Sequence, residues 1–202
     1  MIFGILAKPN LKDFRKVKAA LIKFLTKRKS SILVDESLEK FPNSKISYAS
    51  KINVIKKSDV LIVLGGDGTL LHIAEAAAKN KKPVIGINLG NLGFLTHDHQ
   101  LLKNKNVWDQ ISKNHFSIQN RMMLQGSVQT YSKIKKDLKA ENFFWALNDI
   151  YFRSYRDEIS PTCTLQLQID DEAVDIYRGD GIIISTATGS TAYAMATGGP
   201  IL

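Results

Sequence analysis

Cysteine is almost absent from this sequence, which contains one such residue, Cys163, among 202. A single thiol excludes a disulfide framework and fits a reducing cytoplasm. No apolar run reaches the roughly 18 residues that a membrane-spanning helix needs. The segment Met1 to Leu6 lacks the basic stretch of a secretory signal, and no internal repeat is evident. These absences predict a cytoplasmic chain without a membrane segment.

Acidic residues are fewer than basic ones, 19 against 28, which leaves a formal net charge of +9 at pH 7. Positive potential attracts anions such as nucleotides, polyphosphate and nucleic acid. Much of the excess is lysine on the first predicted helix, where a solvated face is the simpler interpretation. Because neither a helix-turn-helix pattern nor interleaved aromatic residues accompany the charge, we expect no nucleic-acid partner.

Hydrophobic residues make up 44% of the chain, which is enough to bury a core. In the first half, short apolar runs alternate with segments of helical spacing, which is typical of β/α units around a parallel sheet. The predicted strands are Met1 to Ala7, Ser31 to Val34, Asp59 to Leu64 and Pro83 to Ile87. The predicted helices are Leu11 to Lys29, Leu70 to Lys79 and Trp108 to Ile111. We therefore expect an α/β domain.

The pattern changes near residue 120, where mostly strand-like segments begin. The predicted strands there are Met123 to Val128, Trp145 to Phe152, Thr164 to Ile169 and Gly181 to Ser185. Leu165, Leu167 and Ile169 alternate with polar residues, which is the period of a half-buried strand. We therefore predict a domain boundary, with an α/β domain at residues 1–119 and a mostly β domain at residues 120–202, α+β overall.

The segment Gly65-Gly66-Asp67-Gly68-Thr69 leaves a buried strand and enters a predicted helix. Glycine lets the backbone turn sharply and approach a ligand, and the N–H groups that open a helix favour phosphate. A carboxylate on this turn, Asp67, can accept a hydroxyl proton or help to hold a metal. The alternative, a hairpin turn, conflicts with the helical spacing that follows. We interpret Asp67 as functional.

A second glycine loop, Asn88 to Phe94, also follows a buried strand. Ligands of parallel sheets lie beyond the carboxyl ends of the strands, so both loops point to one crevice. Phe94 either stacks on a base or packs in the core, and the loop alone does not separate these interpretations. His72 lies one helical turn past the first glycine loop, where its side chain could face bound phosphates, solvent or the core. Because His97 and His99 lack further clustered ligands, no metal site is predicted there.

Hydroxyl and glycine residues follow the last predicted strand, in Thr188-Gly189-Ser190-Thr191-Ala192-Tyr193. They offer backbone and side-chain donors to a polar ligand. A flexible linker is the alternative, which the strand before this segment and the helical pattern after it disfavour. Arg178 and Asp180 precede the same strand. Asn148-Asp149 lies in an apolar context, where polar groups either satisfy the backbone or bind a ligand.

Taken together, these segments resemble the NAD kinase family. The resemblance rests on the first glycine loop and on Gly86 to Thr96, Leu147 to Asp149, Asp180 to Tyr193 and Gly198 to Pro200. Their order and spacing fit over nearly the whole chain. Lipid kinases and phosphofructokinases share the first loop, whereas Thr188 to Tyr193 and the Asn-acid pair are specific. A lipid or sugar kinase and a non-catalytic NAD-binding protein are the alternatives.

The resemblance implies that NAD is bound between a Rossmann-like domain and a β-rich domain and is phosphorylated to NADP. ATP or polyphosphate would donate the phosphoryl group, with Mg²⁺ or another divalent metal. The protein would be a homo-oligomer, a dimer or tetramer. Asp67 would deprotonate the ribose hydroxyl that attacks the γ-phosphate. The substrate- and cofactor-binding residues would be Gly65, Gly66, Gly68, Thr69, His72, Asn88, Phe94, Asn148, Asp149, Arg178, Asp180, Thr188, Gly189, Ser190, Thr191, Ala192 and Tyr193.

The sequence departs from the family's pattern at three points. Asp149 stands where the family usually has glutamate, which keeps the charge but shortens its reach. Ala187 stands where proline is usual, so we expect a less rigid loop. Chains of the family also continue past Leu202, so we expect a C-terminally truncated chain whose second domain lacks part of its core.

Overall fold

The computed structural model describes residues 1–8, 14–26, 30–40, 43, 45–90, 93–129, 143–154 and 162–202. The chain divides into two compact units, Met1–Asn120 and Arg121–Leu202. Within the described ranges, no helix has the length and apolar character needed to cross a membrane.

The first unit is built around a parallel sheet. Its strands are β1 (Ile2–Ala7), β2 (Ser31–Asp35), β3 (Ile46–Ala49), β4 (Val60–Leu64), β5 (Val84–Asn88) and β6 (His97–Asp98). Its helices are α1 (Phe14–Thr26), α2 (Lys51–Lys57), α3 (Asp67–Lys79) and α4 (Lys105–Ser112). The strand order is β3-β2-β1-β4-β5-β6, and all pairs are parallel. The expected α/β domain is confirmed.

The central strand β4 is buried along its whole length because the two faces of the sheet are both covered. Val60, Ile62 and Leu64 belong to a hydrophobic cluster that includes residues of α1 and α4. Leu61 and Val63 belong to a second cluster, which includes residues of α2 and α3. A strand packed on both faces needs a continuous apolar run, which explains why the sequence pattern located β4.

Three elements of the first unit, β3, α2 and β6, were not predicted. They have four, seven and two residues, so none is long enough to display a clear hydrophobic period. The first helix was predicted to span Leu11 to Lys29, and the structure describes α1 over Phe14–Thr26. Residues 11–13 and 27–29 lie outside the described ranges.

The second unit contains three two-stranded antiparallel sheets among its described residues. Its strands are β7 (Leu124–Gly126), β8 (Phe144–Ala146), β9 (Asp149–Arg153), β10 (Cys163–Ile169), β11 (Glu172–Gly179) and β12 (Gly181–Ser185). The pairs are β7 with β8, β9 with β12, and β10 with β11. A 3₁₀ turn, Thr188–Thr191, precedes the short helix α5 (Tyr193–Ala196). The expected mostly β character is confirmed.

The structure differs from the strands predicted for this unit at three points. The predicted strand Trp145 to Phe152 is interrupted by a bend at residues 147–148, which separates β8 from β9. Ile169 was expected to be half-buried and is 56% exposed. The strand β11, which contains Arg178, was not predicted, because almost every one of its residues is exposed.

Candidate functional site

The first glycine loop places Asp67 at the start of α3, directly beyond the carboxyl end of β4. Gly66 is the N-cap and no side chain caps this helix end. Gly65 has a φ of +149°, and a Cβ there would collide with the Thr69 side chain. A Cβ at Gly68 would meet nothing within 4 Å. Glycine is therefore needed for the turn at Gly65, whereas Gly68 leaves open space beside the backbone.

The Asp67 carboxylate binds the second glycine loop through three hydrogen bonds. Oδ2 accepts the backbone N–H of Phe94 at 2.7 Å. Oδ1 accepts the backbone N–H of Leu95 at 3.2 Å and the hydroxyl of Thr96 at 2.8 Å. An ionised carboxylate offers about four lone-pair positions. Among the described residues, Asp67 therefore joins the two loops and keeps an acceptor position on Oδ2.

Gly93 in the second loop and Gly86 in β5 are both required by this packing. A Cβ at Gly93 would collide with the Asp67 carboxylate. A Cβ at Gly86 would lie 2.7 Å from Thr96 Cγ2 and 2.8 Å from Leu70 Cδ1, closer than side chains pack. Gly93 therefore lets the second loop approach Asp67, and Gly86 leaves room for Thr96 and Leu70 beside β5.

The other predicted site residues of the first unit occupy different environments. Asn88 is buried; its Oδ1 accepts the Gly90 N–H at 2.8 Å and its Nδ2 donates to the Thr96 hydroxyl at 3.2 Å. Phe94 has 76% of its surface exposed, so the interpretation as a core residue is wrong. His72 is exposed on α3, which excludes a core position for it as well.

Thr96 was not among the predicted site residues, although its hydroxyl contacts two of them, Asp67 and Asn88. It is buried and lies in the segment between β5 and β6. The sequence placed it at the end of the Gly86 to Thr96 segment, beside a glycine loop, and neither feature indicates a role for its hydroxyl.

In the second unit, the bend at residues 147–148 contacts the 3₁₀ turn. A Cβ at Gly189 would collide with the backbone carbonyl of Asn148. Thr186, which is buried and was not predicted, joins the two segments. Its N–H donates to the Asn148 carbonyl at 2.8 Å, and its hydroxyl donates to the Leu147 carbonyl at 2.6 Å and accepts the Gly189 N–H at 3.0 Å. The predicted site residues at the bend and in the 3₁₀ turn are thereby brought together.

The side chains of Asn148 and Asp149, at this bend, are both partly withdrawn from solvent. Asn148 Oδ1 is buried, and no hydrogen-bond donor contacts it among the described residues. A buried oxygen of this kind favours a ligand or an ordered water as its partner. Burial also raises the pKa of the Asp149 carboxyl above its ordinary value. The bend is therefore a candidate site for a polar ligand.

Ser190 and Thr188 use their hydroxyl groups within the second unit. The Ser190 hydroxyl donates to the Ala187 carbonyl at 2.8 Å and accepts the Leu202 N–H at 3.1 Å. The Thr188 hydroxyl accepts a hydrogen bond from the Arg121 guanidinium at 3.2 Å. Ser190 is buried, so its hydroxyl supports the turn, whereas Thr188 is half-buried beside a cationic group.

Tyr193 is exposed and packs edge-on against Tyr151 of β9, with ring centroids 5.6 Å apart. Arg178 and Asp180 are also exposed, on β11 and directly after it. Arg178 lines a groove of about 380 Å³, whose other lining residues are Leu165, Leu167, Tyr177, Gly179, Gly181 and Ile182. Thr191 and Ala192 are half-buried between the 3₁₀ turn and α5.

The described side chains do not form a metal cage. No group of three or more His, Cys, Asp or Glu side chains lies together in the part of the chain that the structure describes. Mg²⁺ at nucleotide sites is commonly held by one or two carboxylates and by the phosphates themselves. The carboxylate of Asp67 already accepts three hydrogen bonds. A divalent metal would therefore have to be held mainly by a phosphate ligand.

Two family models match the chain. The ATP-NAD kinase N-terminal domain matches residues 3–116, and the ATP-NAD kinase C-terminal domain matches residues 147–202. An NAD kinase 1 of Prochlorococcus marinus is 62% identical over 144 residues, which cover 71% of this chain and 47% of that protein. An NAD kinase of Thermoanaerobacter sp. is 34% identical over an alignment of 206 positions, which covers 98% of this chain and 67% of that protein.

Solved structures show the same fold. Yeast NADH kinase complexed with NADH has a TM-score of 0.80 and 25% identity, covering 100% of this chain and 62% of that chain. An NAD kinase from Archaeoglobus fulgidus in complex with ATP has a TM-score of 0.65 and 23% identity, covering 100% of this chain and 67% of that chain. The present chain spans about half the length of several curated relatives that it matches. Because the N-terminal family model alone matches more than half of the sequence, the chain belongs to the NAD kinase family.

Proposed function

We propose that the protein transfers the γ-phosphate of ATP, or a phosphoryl group of polyphosphate, to the 2′-hydroxyl of the adenosine ribose of NAD, giving NADP. The observation that carries the proposal is the Asp67 carboxylate, which three donors hold in place while Oδ2 keeps an acceptor position. Membership of the NAD kinase family supports it. A lipid or sugar kinase, which shares only the glycine-aspartate loop, has no comparable support.

In the proposed reaction, the ribose hydroxyl gives its proton to Oδ2 of Asp67 while its oxygen bonds to the γ-phosphorus. The bond from that phosphorus to the β,γ-bridging oxygen breaks, and ADP leaves with the electron pair. Phosphoryl transfer depends mainly on the positioning of the reactants and on charge neutralisation. The three hydrogen bonds to Asp67 provide positioning for the base.

The start of α3 suits the phosphates in this proposal. The first N–H groups of a helix point away from its body, and the helix dipole favours negative charge there. Gly66 provides no capping side chain, and the space beside Gly68 is open. The exposed His72 lies on the first turns of the same helix. Bound Mg²⁺ would neutralise phosphate charge and would be held mainly by the phosphates.

Each unit offers groups that suit the adenosine part of NAD. The exposed ring of Phe94 offers a face for stacking on adenine. The buried Oδ1 of Asn148 offers an acceptor, and Asp149 lies beside it for a ribose or amino group. The site would be completed by Arg178, Asp180, Tyr193 and the remaining residues of Thr188–Thr191. Some of these residues would act across the interface of a homo-oligomer. The cytoplasm, where these nucleotides are abundant and a lone thiol stays reduced, is the proposed location.

The test is an acceptor comparison with the purified chain, ATP and Mg²⁺. NAD, NADH, a diacylglycerol and fructose 6-phosphate are supplied separately, and transfer of the γ-phosphate from labelled ATP is measured. We expect labelling of NAD or NADH and none of the lipid or sugar. Labelling of the lipid or sugar would contradict the proposal, as would a folded chain that labels none of the four. Replacing ATP with polyphosphate then identifies the donor.

A further inference from the structure

We propose that Thr96 is a positioning residue for phosphoryl transfer, whose hydroxyl, oriented by Asn88, fixes the carboxylate of Asp67. The inference rests on the proposed function because it assigns Asp67 the role of the base. Thr96 itself would touch neither substrate, and it acts through the contact of its Oγ1 with Asp67 Oδ1 at 2.8 Å.

The direction of the Thr96 hydrogen bond follows from its two neighbours. A hydroxyl has one proton to donate and two lone pairs that accept. Asn88 Nδ2 lies 3.2 Å from Thr96 Oγ1, and an amide nitrogen only donates, so Thr96 accepts there. The hydroxyl proton is thereby left for Asp67, whose ionised carboxylate only accepts. The hydrogen bonds run from Asn88 to Thr96 to Asp67.

A backbone group in turn sets the orientation of the Asn88 side chain. The N–H of Gly90 can only donate, and it lies 2.8 Å from Asn88 Oδ1. This contact requires the oxygen of the amide to face Gly90 and the NH₂ group to face Thr96. Asn88 is 4% exposed and Thr96 is 7% exposed, so water has little access to these bonds. The series therefore begins at a fixed backbone group and ends at the carboxylate.

The consequence concerns which carboxylate oxygen faces a substrate. Oδ1 accepts both Leu95 N–H and the Thr96 hydroxyl, which occupies its two lone pairs. Among the described residues, Oδ2 accepts only the Phe94 N–H and keeps its second lone pair. Thr96 therefore assigns Oδ2 to the ribose hydroxyl. Without the Thr96 hydroxyl the carboxylate has one fewer restraint on its rotation, and the base is held less well for the transfer step.

Three threonine variants test this inference with matched chemistry. T96V keeps the side-chain shape without a hydroxyl, and T96S keeps the hydroxyl. T26V is the control, since Thr26 donates its hydroxyl to the Ile22 carbonyl at 2.8 Å in α1. We expect T96V to lower kcat about ten- to a hundredfold, the usual effect of losing a hydrogen bond to a charged group, with KM changed by no more than about twofold. T96S should recover most of kcat, and T26V should match the wild type.

Several kinetic results would overturn the inference. Wild-type kcat in T96V would show that the hydroxyl is dispensable. Equal impairment of T96S and T96V would show that the hydroxyl is not what holds the carboxylate, because T96S keeps it. A raised KM with unchanged kcat would indicate that Thr96 contributes to substrate binding rather than to the transfer step.

Amide hydrogen exchange tests the same inference without turnover, so it separates this inference from the proposed function. The Phe94 and Leu95 amides both donate to Asp67, and their exchange reports how firmly the carboxylate is held. We expect faster exchange of both amides in T96V and wild-type exchange in T96S and T26V. Unchanged exchange in T96V would overturn the positioning role. If the wild-type chain forms no NADP, the proposed function fails while the exchange result still decides how Asp67 is held.

Discussion

At the scale of single residues, we assign Asp67 a chemical task, as the proposed base, and an architectural task, as the link between the two glycine loops. The turn on which it lies predicted the chemical one, because a carboxylate after a buried strand and before a helix is well placed for a ligand. The architectural task depends on hydrogen bonds to residues 27 to 29 positions later in the sequence. Local patterns do not contain such contacts, which arise only when β4 and β5 lie side by side.

Gly93→Ala tests the packing around Asp67. The new Cβ would collide with the carboxylate, so we expect NADP formation to fall at least about tenfold and stability to fall by about 1–3 kcal/mol. Urea unfolding and turnover are measured on the same preparation. Gly179→Ala is the control, because a Cβ there meets nothing within 4 Å. Wild-type turnover in Gly93→Ala would show that turnover does not depend on the observed position of the Asp67 carboxylate.

Asp149 predicts a pH dependence of stability. Burial raises the pKa of its carboxyl, so the folded chain binds this proton more tightly than the unfolded chain does. The proton bound to Asp149 therefore stabilises the folded chain at low pH. This stabilisation is lost as the pH rises past the ordinary pKa of aspartate. We expect Asp149→Asn to raise the free energy of unfolding relative to the wild type, and to do so more at pH 7 than at pH 4. Urea titrations at both pH values measure the difference.

The opposite result for Asp149 would also be informative. If Asp149→Asn lowers the free energy of unfolding equally at pH 4 and pH 7, the carboxylate makes a stabilising contact that outweighs its burial. The account of the bend as a site with an uncompensated charge would then be wrong.

At the scale of elements, the sequence located strands that are buried on both faces and missed those that depend on distant partners. β4 and β5 are short apolar runs, and each was predicted within a residue of its bounds. The bend between β8 and β9 was missed because Thr186 holds the two carbonyls at residues 147–148 from almost 40 positions away. The sequence therefore predicted which segments form the candidate site of the second unit, but not how these segments contact each other.

Thr186→Val tests the connection between this bend and the 3₁₀ turn. The variant keeps the shape of the side chain but leaves the Leu147 carbonyl without its donor and the Gly189 N–H without its acceptor. Buried groups that lose a partner cost about 1–3 kcal/mol, and we expect that loss of stability together with weaker NAD binding. Urea unfolding and calorimetric NAD titration measure the two effects. Thr186→Ser should retain both properties, and an equally weak serine variant would contradict the role of the hydroxyl.

At the scale of the whole molecule, the two units differ in how they bury apolar side chains. Both hydrophobic clusters consist of residues of the first unit. Of the described residues in the second unit, only Leu147 is a buried large hydrophobic. Large apolar side chains are exposed on its strands, namely Phe144, Tyr151, Phe152, Ile169, Val174, Ile176, Tyr177 and Ile184. The alternating pattern identified strands there but not what covers them, because cover depends on the surrounding structure and not on the local sequence.

The central claim is that Asp67 of this chain is the base in the phosphorylation of NAD, and NADP formation tests it most directly. Wild type and Asp67→Asn are incubated with NAD, ATP and Mg²⁺, and NADP is measured with an NADP-specific dehydrogenase after circular dichroism has shown that both are folded. We predict NADP formation by the wild type and a loss of about 10²–10⁴-fold in the variant. Equal turnover by the two, or a folded wild type that binds NAD and forms no NADP, would contradict the account.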